Sequence, residues 1–283
     1  GTQSNGQGHE TVFAQFLSDQ TGIPAEKIIV VQGDSDLIPR GGGTGGSRSV
    51  TVQNNATLAT VEKIIQSFSQ YLSEKLEVDV EDIGFDDTSF RIKGSNYSPN
   101  ALEVAKMACE DHRFDLLKHS AKATLDARSF PNGAHFAEVE VDPETGFVQV
   151  VKYCVVDDFG NLINPMLAEG QVHGGVAQGI GQAWYENVVY DQEGQLLTAT
   201  FMDYGIPRAQ DLPYYKFETE CVPSTANIMG MKGCGEAGTV GALAAVANAV
   251  QDALWEFGIQ QVDMPFTSEK IWSMINSGKL AAE

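Results

Sequence analysis

Apolar positions recur along this chain with two periods, and the period separates its helices from its strands. Val12, Phe13, Phe16 and Leu17 fall at helical spacing after a glycine-rich start, and Gly22-Ile23-Pro24 stops that helix because proline cannot continue it. Ile28 to Val31 is a short unbroken apolar run and reads as a buried strand. Ala56 to Leu76 predicts a long helix with Leu58, Val61, Ile64, Ile65, Phe68 and Leu72 on one face. Ser89 to Lys93 predicts a strand, and Pro99 the start of a helix running through Val104 and Met107. Between Ala134 and Val156 the pattern alternates on either side of Asp142-Pro143-Glu144-Thr145-Gly146, a hairpin with its turn residues in place. Three more helices follow: Gly170 to Tyr185, an Ala-rich stretch from Gly238 to Phe257 expected to be buried on most sides, and Thr267 to Ile275. This mixture predicts an α+β fold rather than a regularly alternating parallel sheet.

The 283 residues suffice for one large domain or two small ones, and 42% hydrophobic with 20% charged residues is ordinary for a globular protein. No apolar run approaches the roughly 18–20 residues that span a bilayer. A net charge of −20 speaks against nucleic acid and anionic membranes as partners, since both require a cationic surface. The four cysteines, Cys109, Cys154, Cys221 and Cys234, include no C-x-x-C pair, so neither an iron–sulfur cluster nor a disulfide scaffold is expected within the chain, and a cytoplasmic setting is the default. The chain opens on Gly1-Thr2-Gln3, inside what becomes a motif, and so reads as a fragment or a processed chain.

Four glycine-rich loops carry the chemistry: Gly6-Gln7-Gly8, Gly41 to Ser49, Gly170-Gln171 with His173-Gly174-Gly175, and Gly233-Cys234-Gly235-Glu236. Glycine lets the backbone approach a bulky polar ligand and exposes N–H donors. Gln and Ser add neutral donors and acceptors suited to an amide-rich heterocycle or a phosphate. Helices begin after the first and last loops, and a helix amino terminus favours anionic groups. Gly41 to Ser49 lacks the Gly-Lys-Ser/Thr ending of a phosphate loop, and His9-Glu10 has no second histidine four positions on. Glu236 follows Gly-Cys-Gly and heads an apolar helix. Buried there, a carboxylate would be a base working near neutrality; exposed, it would only stabilise the first turn.

Taken together, five stretches resemble the molybdenum-binding subunit of the xanthine dehydrogenase, aldehyde oxidase and carbon monoxide dehydrogenase family. They are Gly6-Gln-Gly-His-Glu-Thr11, Gly43-Thr-Gly-Gly-Ser-Arg-Ser49, Asn164-Pro-Met with Glu169-Gly-Gln-Val-His-Gly-Gly175, Phe201-Met-Asp-Tyr204 with Pro207-Arg208, and Gly233-Cys-Gly-Glu-Ala237, in family order over nearly the whole chain. The resemblance is to the carboxy-terminal, second cofactor-binding half of that subunit, and it implies two similar-sized subdomains of mixed sheet and helix, about 1–130 and 131–283. It further implies a molybdenum–molybdopterin cofactor, in bacteria often the cytosine dinucleotide, with no protein ligand to the metal. Gln7 and Gly8, then Gly43, Thr44, Gly46, Ser47, Arg48 and Ser49, then Gln171, Gly233, Cys234 and Gly235 would line the cofactor. Glu236 would be the base in hydroxylation of an aldehyde or N-heterocycle by water. FAD and 2Fe-2S clusters would lie on partner chains, and the first half of the subunit, which matches nothing here, would be a further partner in an oligomer. A solitary binding or assembly module with the same fold but no turnover is the competing reading.

Overall fold

A computed structural model describes residues 1–38, 40–125 and 127–280, with the side chains of 278–280 left aside. The chain divides into two compact units. The first comprises Gly1–Ser129 with two later returns, Asn161–Asn164 and Pro223–Gly233; the second comprises Phe130–Gly160, Pro165–Val222 and Cys234–Glu283. The mixed α and β content agrees with the expected class.

In the first unit, helices α1 (His9–Thr21), α2 (Ser49–Leu76) and α3 (Ala101–Glu110) surround a small antiparallel pair, β1 (Ile83–Phe85) and β2 (Phe90–Ile92). Phe68, Tyr71 and Leu72 of α2 pack with Ile83, Phe90, Ile92, Val104 and Ala108 in one apolar cluster. A second, smaller cluster joins Phe16 of α1 to Met229 and Met231 of the late return, which ties that return to the amino-terminal helices. Helix α2 starts seven residues before the expected Ala56. Thr51 and Asn54 are buried at its head, so packing overrides the weak helix preference of a Val-Thr-Val-Gln-Asn-Asn run. Pro99 does not open α3: its carbonyl accepts the Phe90 amide at the hairpin edge, and Asn100 caps the helix in a capping box with Glu103. Residues 28–31 form no strand, and Ile29 is 88% exposed; a short apolar run alone does not supply a partner for its backbone.

The second unit is a three-stranded sheet covered by helices. β3 (Asn132–Val141) and β4 (Val148–Asp158) form the expected hairpin, and β5 (Tyr215–Thr219) adds to β4 in parallel. β5 was not legible in the sequence, because Tyr-Lys-Phe-Glu-Thr is short and follows a proline-containing loop. The register of the hairpin slips by one residue between Glu138/Lys152 and Val139/Val150. That bulge changes the parity of β4. Val148 and Val150 face inward before it, and Tyr153, Val155 and Asp157 face inward after it. A carboxylate is thereby placed on the buried face.

Helices α4 (Pro165–Trp184) and α5 (Ala237–Trp255) pack closely through small residues. A Cβ on Gly175 would lie 3.0 Å from the Gly238 Cα, and one on Gly179 would lie 2.6 Å from the Ala242 Cβ. α4 begins at Pro165, five residues before expectation, because proline suits the first helical position. α5 is not buried on most sides. Gly238, Ala242, Val246, Val250 and Leu254 form one buried stripe, while Val240 is 69% exposed and Trp255 is 62% exposed. Alanine-rich composition had suggested an all-round apolar surface where the helix uses a single face. α6 (Ser268–Leu280) closes the described chain.

Candidate functional site

In the first unit, loop 41–49 is laced to the amino-terminal segment, Gly1 to Gln3. The Gly43 amide donates to the Gly1 carbonyl (3.1 Å). The Thr44 hydroxyl donates to the Gln3 carbonyl (2.6 Å) and accepts from the Gln3 amide (3.0 Å) and the Ser49 hydroxyl (3.1 Å). Arg48 donates to the Gly42 carbonyl (2.6 Å), so its guanidinium braces the loop from within. Gly43, Gly46 and Ser47 adopt left-handed backbone conformations, and α2 begins immediately afterwards at Ser49. The result is a tight turn that leads directly into a 28-residue helix, whose leading backbone N–H groups favour anions. Gly45 has no other atom within 4 Å of where a Cβ would stand, and its backbone is not in the left-handed region. A side chain would be tolerated there by the fold.

Gly233 lies against the same loop. A Cβ on it would fall 1.4 Å from the Ser47 carbonyl oxygen, so only glycine allows this approach. Gln7 turns its side-chain carbonyl to the Asn5 amide, and Gly8, with φ near 80°, caps α1. Gln7, Gly8, Gly43, Thr44, Gly46, Ser47, Arg48, Ser49 and Gly233 thus all belong to the first unit, with loops 1–8, 41–49 and 233 brought together there.

His9 sits beneath this loop pair, 2% exposed, its ring 4.8 Å from Phe13 and its Nδ1 3.3 Å from the Gln32 side-chain oxygen. Burial lowers its pKa below 6.5, and the Gln32 contact opposes the shift. The unfolded chain therefore takes up a proton near pH 6.5 that the folded chain resists, and stability, full above that pH, declines as the pH falls below it. Urea unfolding should show a lower midpoint at pH 5 than at pH 7, and His9→Gln should flatten that part of the dependence; an unchanged slope in the variant would refute it.

The remaining sequence candidates lie in the second unit. Gln171 is half-buried on α4, two residues before His173, whose ring meets Tyr215 edge-on at 5.3 Å. Glu236 is the capping residue of α5. Its carbonyl accepts the Val240 amide, its side chain makes no capping hydrogen bond, and it is exposed. The buried carboxylate considered from the sequence is therefore not what this chain presents. Burial pushes the Cys234 thiol up to about 11, with the Asp157 and Glu236 carboxylates adding to the shift, so the thiol stays protonated at neutral pH. Gly235 is exposed between them. Among the described residues no group of three His, Cys, Asp or Glu could hold a metal ion.

Sequence reasoning missed a buried polar group in this unit. His135 on β3 places Nδ1 2.7 Å from the Tyr153 hydroxyl and Nε2 3.3 Å from Asp157 Oδ1. Its strand-pairing neighbours gave no signal, since the inward turn of Tyr153 and Asp157 depends on the bulge.

The molybdopterin cofactor-binding domain family matches residues 1–213. The chain belongs to that family. It is 35% identical to subunit gamma of the 6-hydroxypseudooxynicotine dehydrogenase complex of Paenarthrobacter nicotinovorans, over 96% of this chain and 35% of that one. Its fold matches that of a Cu,Mo-CO dehydrogenase with a TM-score of 0.89 at 33% identity, over 98% of this chain and 35% of the other. Quinoline 2-oxidoreductase from Pseudomonas putida 86 matches with a TM-score of 0.83 at 34% identity, over 97% of this chain and 36% of the other. The chain therefore spans about a third of the length of these molybdenum oxidoreductase relatives. Among the described residues, no helix is long and apolar enough to cross a membrane.

Proposed function

We propose that this chain is the second cofactor-binding portion of a molybdenum hydroxylase. In this reading it binds a molybdopterin cofactor, as the cytosine dinucleotide, and supplies Glu236 as the base for hydroxylation of an aldehyde or N-heterocycle by water. The observation that carries the reading is loop 41–49. Gly45 is a glycine that neither the local packing nor its backbone conformation requires, in a turn whose N–H groups are set at the head of α2. An external polar ligand lying against the loop accounts for it.

The donor set fits the cofactor. The head of α2 offers backbone N–H groups to its anionic groups, and Gln7 and Gln171 offer amides to the pterin. When bound, the cofactor supplies a Lewis acid and a two-electron sink. The chain's own part is to orient and to move a proton. Glu236, at the head of α5 and exposed, accepts at its carboxylate the proton of the attacking water. Cys234, protonated and half-buried, contributes bulk and a weak donor rather than a nucleophile. Gly235 keeps the approach to Glu236 open. The rest of the molybdenum subunit would supply the substrate pocket, and iron–sulfur and flavin chains would take the electrons on, within a cytoplasmic oligomer.

Molybdenum and pterin content of the chain, co-expressed with those partners, tests the reading. Stoichiometric metal, with cytidine monophosphate released on acid hydrolysis, is the expected result. A formed complex without molybdenum, in cells that load other molybdenum enzymes, would leave a non-catalytic module of the same fold.

A further inference from the structure

The buried face of the second unit's sheet contains a polar cluster that the proposed reaction does not use. Asp157 is 2% exposed, and its Oδ2 has no hydrogen-bond partner among the described residues. Leaving a buried carboxylate oxygen unpaired is costly, so the groups that hold its other oxygen matter. Oδ1 faces His135 Nε2 at 3.3 Å. Gly133, paired across the strands with Asp157, leaves the space that the carboxylate fills, since a Cβ there would stand 1.9 Å from Oδ1.

The partners of the ring assign its tautomer. A carboxylate only accepts, so the Asp157 contact places the imidazole proton on Nε2. Burial keeps the Tyr153 O–H on, and in the neutral ring Nδ1 accepts from it at 2.7 Å. The ring is thus held at both nitrogens, with its side chain 7% exposed.

The far side of the ring meets α5. A Cβ on Gly241 would lie 2.4–2.5 Å from three atoms of the imidazole, so the helix rests directly on the ring. Gly241 is five residues beyond Glu236, in the second turn of the helix. At the head of the same helix, the Asp157 and Glu236 carboxylates both act on the Cys234 thiol. The clamp therefore touches the helix at one point and faces its leading turn at another.

We propose that His135, fixed by Tyr153 and Asp157, is a positioning residue that sets the height of α5 on the sheet and so holds the Cys234-Gly235-Glu236 turn. The catalytic consequence rests on the reading of Glu236 as the base. The imidazole does not touch the reacting atoms. It acts by keeping the Asp157 carboxylate in place and by giving α5 a rigid seat. Were the ring free to tilt, the carboxylate would lose its one donor and α5 its seat at Gly241.

Two variants separate the bond from the bulk. His135→Gln carries an amide that reaches to about the place of Nε2 and can still donate to Asp157. His135→Asn reaches only to about the place of Nδ1, so it keeps the Tyr153 contact and loses Asp157. Both are measured in the loaded complex for kcat and KM. They are also measured with the cofactor removed, for the rate at which iodoacetamide alkylates Cys234, read by peptide mass spectrometry. His135→Asn is expected to lower kcat about 10- to 100-fold with KM unchanged, the value of one hydrogen bond to a charged group. It is also expected to raise Cys234 alkylation several-fold, while His135→Gln stays near the parent in both. Equal behaviour of the two variants, whether both near the parent or both impaired, overturns the proposal. If Glu236→Gln keeps full turnover, the catalytic consequence falls with the reading beneath it. The alkylation ratio then decides by itself whether the clamp holds the turn.

Discussion

Glu236→Gln is expected to keep the fold and the cofactor content and to lower kcat by about 100-fold or more, the contribution of a positioned general base. The substitution preserves the shape of the side chain while removing its charge and its ability to take a proton. Glu236 is exposed, and glutamine keeps its size and its hydrogen-bonding capacity. The stability change should lie within about 0.5 kcal/mol, as for other surface substitutions. The loss of the carboxylate's favourable placement at a helix amino terminus lies in that range at an exposed position. Molybdenum content, thermal midpoint and single-turnover rate, measured on one preparation, separate these effects. Full activity with normal molybdenum content would remove Glu236 from the role of base. Loss of molybdenum together with activity would make it a cofactor-binding residue instead.

The exposure of Glu236 bears on where its chemistry comes from. A carboxylate facing water is a weak base near neutrality, because solvation favours its charged form. The reading from sequence asked for burial, and the chain in hand does not provide it. About two thirds of the length of the molybdenum relatives lies outside this chain, so the surroundings that would desolvate Glu236 would have to come from that portion and from the bound cofactor. This also explains why substrate specificity is not written here. In the proposed reading, the residues that close over the carboxylate belong to that portion.

Helices α1, α3 and α6 and the β3–β4 hairpin were legible because period and turn chemistry agree in them. Asp142 accepts the Glu144 amide and the Thr145 hydroxyl, and Gly146 takes the left-handed turn, as the Asp-Pro-Glu-Thr-Gly sequence demands. What failed was everything decided by a neighbour distant in sequence. The first turns of α2 form because Thr51 and Asn54 find burial, not because their residues favour helix. β5 exists because β4 offers it an edge. The loop motifs were legible as motifs, since glycine and glutamine spacing survives without any knowledge of packing. His135, Tyr153 and Asp157 were not legible as a group. One bulge at Val151 decides that the last two face the same way as the first, and nothing in the alternation announces it.

Gly233→Ala and Gly45→Ala are expected to have opposite profiles, and the pair tests what loop 41–49 is built for. A methyl group on Gly233 would stand 1.4 Å from the Ser47 carbonyl oxygen and 2.4 Å from its carbonyl carbon. Neither backbone can yield cheaply. Ser47 lies between the left-handed Gly46 and the Arg48 brace to Gly42, and Gly233 follows a return anchored by Met229 and Met231 in the apolar cluster with Phe16. Overpacking of this kind costs about 3 kcal/mol or more, so the urea midpoint should fall markedly even with no cofactor present. Gly45→Ala meets no other atom within 4 Å and needs no unusual backbone angle. It should leave stability unchanged or raise it by about 0.5 kcal/mol through the entropy of the unfolded chain. Its methyl group projects into the space that the proposed cofactor would occupy, so molybdenum and pterin content should fall although the protein is at least as stable as its parent. A Gly45→Ala protein that retains full cofactor would mean that the open face of the loop is not where the pterin lies. A stable Gly233→Ala protein would mean that loop 41–49 can move away from Gly233 at little cost. The two results are independent, because one reads the contact of the loop with its own chain and the other its contact with a ligand.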